Sequence, residues 1–372
     1  SREAVIAKAL ENNKGIKAAA LQVNKMQENI KSSFTFEKTN VYYSYDQNNL
    51  ALNNLPLKVF GVQQRFLFPT VYGVQKKANT SEFEKEKADY ELQKNKLSLQ
   101  VAKTYEQIVY WQHQERLYSY LDSLYQNFSK ASDRRFELGE TNYLEKITAQ
   151  SKYRQIKTKL TQINFEKKAQ YESLQALVQS DEKISILEKE LVPIPTLDTT
   201  SNKAIHTAYL ESISKMYKSQ ISLQKQHWLP DLNLEYFQGR NNGLSQSLYG
   251  FQVGIAVPIL FSGNVSKTKV AQLESQSWEE QKQNQEQKMT QFIRQQQNEI
   301  AKYQESINYY NATGKKLSEE IIKVANSSYK NGEIDFFQYI QSLENAVAIK
   351  IEYVEAVLQF NSNQLELHYL NF

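Results

Sequence analysis

Residues 136–147, FELGETNYLEKI, return at 329–340 as YKNGEIDFFQYI: an aromatic residue, two positions, Gly-Glu, one position, Asn or Asp, two bulky residues, two more positions and Ile. Gly139 and Gly332 stand 193 residues apart. A second landmark agrees within four residues, because Phe68-Pro69 and Tyr72-Gly73 lie opposite Val257-Pro258 and Phe261-Ser262-Gly263 at an offset of 189. A chain that matches itself at two independent places is built by duplication, so whatever one half folds into the other must repeat. The expected division is a first repeat over 1–190, a joining segment over 191–202 that carries Pro193 and Pro195, and a second repeat over 203–372. Each half reads as short helix, long helix, strand, turn, strand, long helix, sharp turn, long helix. Short helices beside the joining segment are expected to form a belt around the long ones.

The helical parts are long. Residues 78–128 contain no proline or glycine, which at ~1.5 Å per residue corresponds to roughly 75 Å of helix. Leu117, Leu121, Leu124 and Phe128 step 4-3-4, and Phe336, Ile340, Leu343, Val347, Ile351, Val354 and Leu358 continue the same spacing. An amphipathic helix of any bundle shows such steps. Their persistence, far beyond the ~11–12 residues of an average helix, reads as a coiled-coil seam.

Against this background, YGFQVGIAVPILFSGN at 249–264 alternates like a strand. Tyr249, Phe251, Val253 and Ile255 fall on one side and Gly250, Gln252 and Gly254 on the other. Three further strands are expected over 40–46, 57–68 and 231–238, with this one spanning 248–259. Asn- and Gly-rich loops join them in pairs. Four short strands cannot close a barrel, and an open sheet with an apolar face is an aggregation hazard. Three copies giving four strands each would close a twelve-stranded barrel with Tyr249, Phe251, Val253 and Ile255 in lipid and Gln, Gly and charged residues inside. Tyr42, Phe66, Phe68, Tyr236, Phe237, Tyr249 and Phe261, at strand ends, would form aromatic girdles. The fold class is thus mostly α with a small β part. The other reading of the same alternation is a small soluble sheet covered by helices.

Composition removes other functions. There is no cysteine, so disulfides, Cys-ligated zinc and thiol nucleophiles are excluded. Forty-five basic and 41 acidic residues are interspersed, leaving no stripe for nucleic acid. No run of ~18 apolar residues exists to form a transmembrane helix. His113, His206, His227 and His368 are scattered, and no phosphate loop, nucleophile elbow or HExxH motif occurs. Neither an active site nor a cofactor or metal site is expected. The opening SREAVIAKALENN is helical, lacks the apolar core of a signal peptide, and reads as a processed or trimmed start.

Taken together, the duplicated strand-pair and helix-hairpin plan, Leu229-Pro230-Asp231-Leu232 before the third strand, Val257-Pro258-Ile259-Leu260-Phe261-Ser262-Gly263 after the fourth, and the repeated aromatic-x-x-Gly tip resemble the outer-membrane efflux protein (TolC) family. The resemblance implies a homotrimer whose barrel crosses the outer membrane of a Gram-negative bacterium. Its helices would form a periplasmic tunnel, the passive exit duct of a tripartite pump completed by a periplasmic adaptor and an inner-membrane transporter of the resistance-nodulation-division type. It implies adaptor-docking tips at Leu138, Gly139, Glu140 and Thr141 and at Asn331, Gly332, Glu333 and Ile334. Family members often carry acids about two turns past the second tip, where the tunnel closes. Gln338 and Gln341 stand there instead, with Glu145 after the first tip as the remaining gate candidate for a ring of carboxylates that attracts cations. Replacing Glu145 by Gln would then alter cation block. The texture around SLYQNFSKAS, before the first tip, is similar to Bacteroidetes ducts of the heavy-metal branch (CusC/CzcC-like), some of which are fused to the transporter. Two rival functions are a periplasmic adaptor, which would show one hairpin flanked by Gly-rich strands, and a soluble coiled-coil scaffold, which would need no alternating strands.

Overall fold

A computed structural model describes residues 1–47, 54–198, 200–259 and 261–370. Part of the Asn-rich loop (48–53), Thr199 of the joining segment, Leu260 of the strand exit and the last two residues of the second repeat lie outside the described residues. The elements in order are α1 (Arg2–Asn12), α2 (Lys14–Lys31), β1 (Asn40–Asp46), β2 (Leu57–Phe66), α3 (Pro69–Glu137), α4 (Tyr143–Val178), α5 (Thr200–Gln226), β3 (Asp231–Asn241), β4 (Leu248–Ala256), α6 (Ser262–Tyr309), a π-helical turn (Tyr310–Gly314), α7 (Lys315–Lys330) and α8 (Phe336–Tyr369). They divide into two compact units. One comprises residues 1–18, 92–204 and 287–372; the other comprises 19–91 and 205–286. Each unit draws on both halves of the chain.

In the second unit, β1, β2, β3 and β4 form one antiparallel sheet in that order. The register runs Val41↔Val62, Val62↔Tyr236 and Tyr236↔Phe251. The two repeats therefore meet at the β2–β3 pair, and β1 and β4 are left as edges. Two strands stop earlier than the alternation predicts. β2 ends at Phe66 and β4 at Ala256 rather than at 68 and 259, because Pro69 and Pro258 have no N–H for a ladder bond, and Pro69 sits at the first turn of α3, where none is needed. β3 runs on to Asn241, three residues past the expected end, because Gly239, Arg240 and Asn241 keep pairing with Val59, Lys58 and Leu57.

The plan of the second half departs from that of the first. Where α1 and α2 stand in the first, α5 is one continuous 27-residue helix. The break between α1 and α2 is local: Asn13 is extended (ψ 122°), and its Oδ1 accepts from the backbone N–H groups of Gly15 at 2.9 Å and Ile16 at 3.3 Å, which makes it the N-cap of α2. The joining segment also begins earlier. α4 stops at Val178, with Gln179 in the left-handed region (φ 52°), although residues 181–190 read as helical by composition. The belt of short helices beside it is not observed. Instead the described residues 181–198 run without regular structure between the 36-residue α4 and α5.

Side chains hold that segment down in place of a helix's own ladder. Asn361, fully buried on α8, accepts from the Ile194 N–H at 2.9 Å and donates to the Val192 carbonyl at 2.9 Å. His113 Nδ1 accepts from the Leu191 N–H at 3.2 Å, and Gln112 donates to the Ile186 carbonyl at 3.1 Å. Burying backbone polar groups without partners is costly, so these contacts decide where the segment lies.

The expected helical stripes pack together, in a cluster drawn from four helices. Leu121, Tyr125 and Phe128 of α3, Ala149 of α4, Ala325 of α7, and Phe336, Tyr339, Ile340, Leu343 and Val347 of α8 form one buried cluster. Phe128 stacks on Phe336 at 4.8 Å, and Tyr329 on Tyr339 at 4.6 Å. Burying these rings, at ~25 cal/mol per Å² of apolar surface, is the main attraction between the two hairpins.

Candidate functional site: hairpin tips and sheet faces

Each hairpin reverses through the same device. At the first tip Gly139 has φ +73°, the Glu140 N–H donates to the Arg135 carbonyl at 2.8 Å and the Leu138 N–H to that of Arg134 at 3.1 Å. At the second, Gly332 has φ +76° and the Glu333 N–H donates to the Ser328 carbonyl at 2.8 Å. This six-to-one bond across a left-handed glycine is a Schellman closure. A Cβ on either glycine would meet nothing within 4 Å, so the backbone angle, and not crowding, demands glycine.

The helices that leave the tips are capped in parallel. The Asn142 Oδ1 accepts from the Glu145 N–H at 2.9 Å. The Asp335 carboxylate accepts from the Gln338 N–H at 2.8 Å, and Gln338 Oε1 accepts in return from the Asp335 N–H at 3.1 Å. The second is a complete capping box. Glu145 and Gln338 therefore occupy the same third position of a helical first turn, and their difference reflects how each cap is completed. The Glu145 carboxylate is buried. It takes the Arg135 guanidinium at 3.2 Å and the Thr141 hydroxyl at 2.5 Å, and Arg135 also donates to the Tyr329 phenol at 2.9 Å. Within the chain this carboxylate is therefore engaged by an ion pair and a hydroxyl. Gln341 is exposed and bonds Asn345 at 3.0 Å.

Among exposed polar residues such as Glu140, Asn331 and Glu333, the tips also present large apolar side chains. Leu138 is 66% exposed, Tyr143 62% and Leu144 56%, with Phe337 beside the second tip also exposed. Ile334, at the second tip, is partly buried and packs against the buried cluster. Burial raises the phenol of Tyr329 above its ordinary value, with Glu145 adding to the effect, and pushes Tyr339 up to about 12. Both remain neutral donors, and Tyr339 donates to Asn326 at 2.7 Å. Arg135 and Tyr329, which tie the two tips together, had no signal in the sequence beyond their place beside the glycines.

The sheet separates two chemistries by register. One face carries Val41, Tyr43, Phe60, Val62, Leu234, Tyr236 and the β4 row, in which Tyr249, Phe251 and Val253 are 73–75% exposed and Ile255 is 65% exposed. The opposite face carries Gln63, Arg65, Asn233, Glu235 and Gln252, and Arg65 pairs there with Asp231 and Glu37. Tyr42 and Phe237, expected as girdle residues, lie on this polar face by the alternation of their strands, opposite Gly61 and Gly250 in register. The Tyr42 ring covers Gly61, with its hydroxyl donating to Glu235, and the Phe237 ring covers Gly250.

Two of the four histidines hold backbone in the joining segment: His113 as above, and His368, whose Nδ1 donates to the Asp198 carbonyl at 2.5 Å. Among the described residues no group of three or more His, Cys, Asp or Glu is placed to hold a metal ion, and no helix is long and apolar enough to cross a membrane.

Comparison with known proteins adds the following. Residues 214–370 match the model of the family described as "Outer membrane efflux protein". No curated protein matches the chain in sequence. Among solved structures, the outer-membrane channel OprN aligns with a TM-score of 0.84 at 11% identity, covering 99% of this chain and 89% of its own. The outer membrane protein VceC of Vibrio cholerae aligns at 0.80 and 14% identity, covering 99% and 95%. CusC, described as forming a transmembrane channel, aligns at 0.81 and 15% identity, covering 99% and 91%. At these identities the likeness is one of fold. Residues 214–370 thus resemble the outer membrane efflux protein family in sequence, and the chain carries the fold of such channels along 99% of its length.

Proposed function

We propose that this protein is the outer-membrane exit duct of a tripartite efflux pump. Three copies close a twelve-stranded barrel in the outer membrane of a Gram-negative bacterium, and their helices line a periplasmic tunnel through which small molecules or metal cations leave. The observation that carries this reading is the sheet. Four strands with unpaired edges at β1 and β4 bear a row of large apolar side chains turned away from the chain. Such a surface is stable only when its edges are paired and its exterior is in hydrocarbon. The family match over the second half supports the same conclusion. The duct works passively, with no chemistry of its own, and energy and cargo selection come from an inner-membrane transporter of the resistance-nodulation-division type.

A periplasmic adaptor docks on the tips at Leu138–Thr141 and Asn331–Ile334. Exposed Leu138, Tyr143, Leu144 and Phe337 around two rigid turns supply the apolar anchors that such an interface needs. The two sequence repeats, 1–190 and 203–372, are the units of duplication that give each copy two strand pairs and two hairpins.

Purification with and without detergent, followed by mass determination and planar-bilayer recording, tests the reading. The expected result is a detergent-dependent trimer that conducts ions. A monomer that stays in solution without detergent and conducts nothing overturns it.

A further inference from the structure

The α6–α7 helix is interrupted once, by the π-helical turn Tyr310–Gly314. A π turn inserts an extra residue into the helical ladder and is found frequently at functional sites. Here it brings the backbone against α8, since a Cβ on Gly314 would lie 3.2 Å from Ile349 Cγ2. It also lays the Tyr310 ring on that of Tyr353, with centroids 3.8 Å apart and planes 14° from parallel. Beside this stack opens a groove of about 680 Å³, of a size that suits a small molecule.

The lining is unusual for this chain. Four phenol rings (Tyr303, Tyr309, Tyr310, Tyr353) and three carboxylates (Glu305, Glu352, Glu355) face the groove, and none of its lining residues is Lys, Arg or His. Over the whole chain basic residues slightly outnumber acidic ones, 45 to 41. Ring faces are electron-rich and attract cations, most of all weakly hydrated organic ones, and nearby carboxylates add to the same field. One wall already shows this chemistry: the Lys302 ammonium sits over the Tyr303 ring, 4.3 Å from its centroid. Tyr309, 52% exposed, leaves a second ring open to solvent.

We propose that this groove is a binding site for a hydrophobic organic cation, held by the aromatic faces of Tyr309, Tyr310 and Tyr353 and by the carboxylates of Glu305, Glu352 and Glu355. The claim rests on the groove alone and does not depend on how the sheet closes.

The test is equilibrium dialysis of the detergent-solubilised full chain against tetraphenylphosphonium, with tetraphenylborate as an anion of the same shape. Saturable binding of the cation, at least about tenfold tighter than the anion, is expected. The double variant Glu352→Gln and Glu355→Gln, which keeps shape at two exposed positions, is expected to weaken cation binding about tenfold, and Tyr353→Leu about fivefold, each near the ~1 kcal/mol of a cation–aromatic contact. Glu305→Gln serves as a second variant should Tyr353→Leu fail to fold. Equal affinity for cation and anion, no saturable binding, or variants that bind as the parent does would overturn the proposal. Planar-bilayer conductance of the same preparations reads the duct separately: a conducting protein without cation binding sinks only this inference, and a cation-binding protein without conductance sinks only the duct.

Discussion

Glu145 shows how much the surroundings of a single position matter. It follows the first tip and corresponds in the repeat to Gln338, the position past the second tip where the resembled family often carries acids, so it reads as a gate candidate. In the folded chain its N–H is capped by Asn142, and its carboxylate is enclosed by Arg135 and Thr141. The signal for the cap, though not for the Arg135 contact, was present in the sequence: Asn142-x-x-Glu145 and Asp335-x-x-Gln338 have capping spacing. Glu145→Ala is expected to lower the thermal midpoint, at a cost of about 1–3 kcal/mol for a lost charged hydrogen-bond partner and an orphaned guanidinium. Glu145→Gln should leave cation block of single channels unchanged, and altered block would restore the gate. Glu106 gives the pH counterpart. Buried on α3, it receives Arg2 at 3.0 Å and Asn361 at 2.8 Å, yet desolvation dominates and raises its pKa above the ordinary 4.5. The folded state then holds this proton more tightly than the unfolded state does. The contribution is largest below about pH 4.5 and is lost as pH rises through the raised folded value. Thermal midpoints of Glu106→Gln and the parent, followed across that window, should converge or diverge with that sign; parallel curves would refute it.

At the scale of elements, the tips and the joining segment behave oppositely. The tips were legible from local grammar, because a left-handed glycine, a cap and a hydrophobic stripe are all written within a dozen residues. Gly139→Ala or Gly332→Ala is expected to cost about 1–2 kcal/mol each, from backbone angle alone, since open space surrounds both Cβ positions. Chemical denaturation measures this, and an unchanged midpoint in both variants would exclude the Schellman geometry. The joining segment could not be placed the same way. Its course between Ile186 and Ile194 is set by Asn361, Gln112 and His113, which lie far from it in sequence. The ends of β2 and β4 were misplaced for a similar reason: alternation continues past the last ladder bond, and only pairing shows where the bonds stop.

For the whole molecule, the sheet's two faces carry the argument. Phe251→Lys is expected to cost about 2–4 kcal/mol in a barrel whose exterior is hydrocarbon, seen as loss of the trimer in detergent. Gln252→Lys, one residue on and on the polar face, should leave the trimer intact. Equal effects would mean that the two faces do not differ in environment. The duplication, the mostly helical class, the four strands and the tip glycines were determined by the sequence itself, because periodicity, chain breaks and backbone angles are local properties of neighbouring residues. Tertiary structure alone decided that the repeats meet at β2 and β3, that Tyr42 and Phe237 fold over glycines on the polar face, that Glu145 is neutralised by Arg135, and that a π turn opens a tyrosine groove. Each of these depends on which distant residues share a register or a packing contact, and no local pattern records that choice.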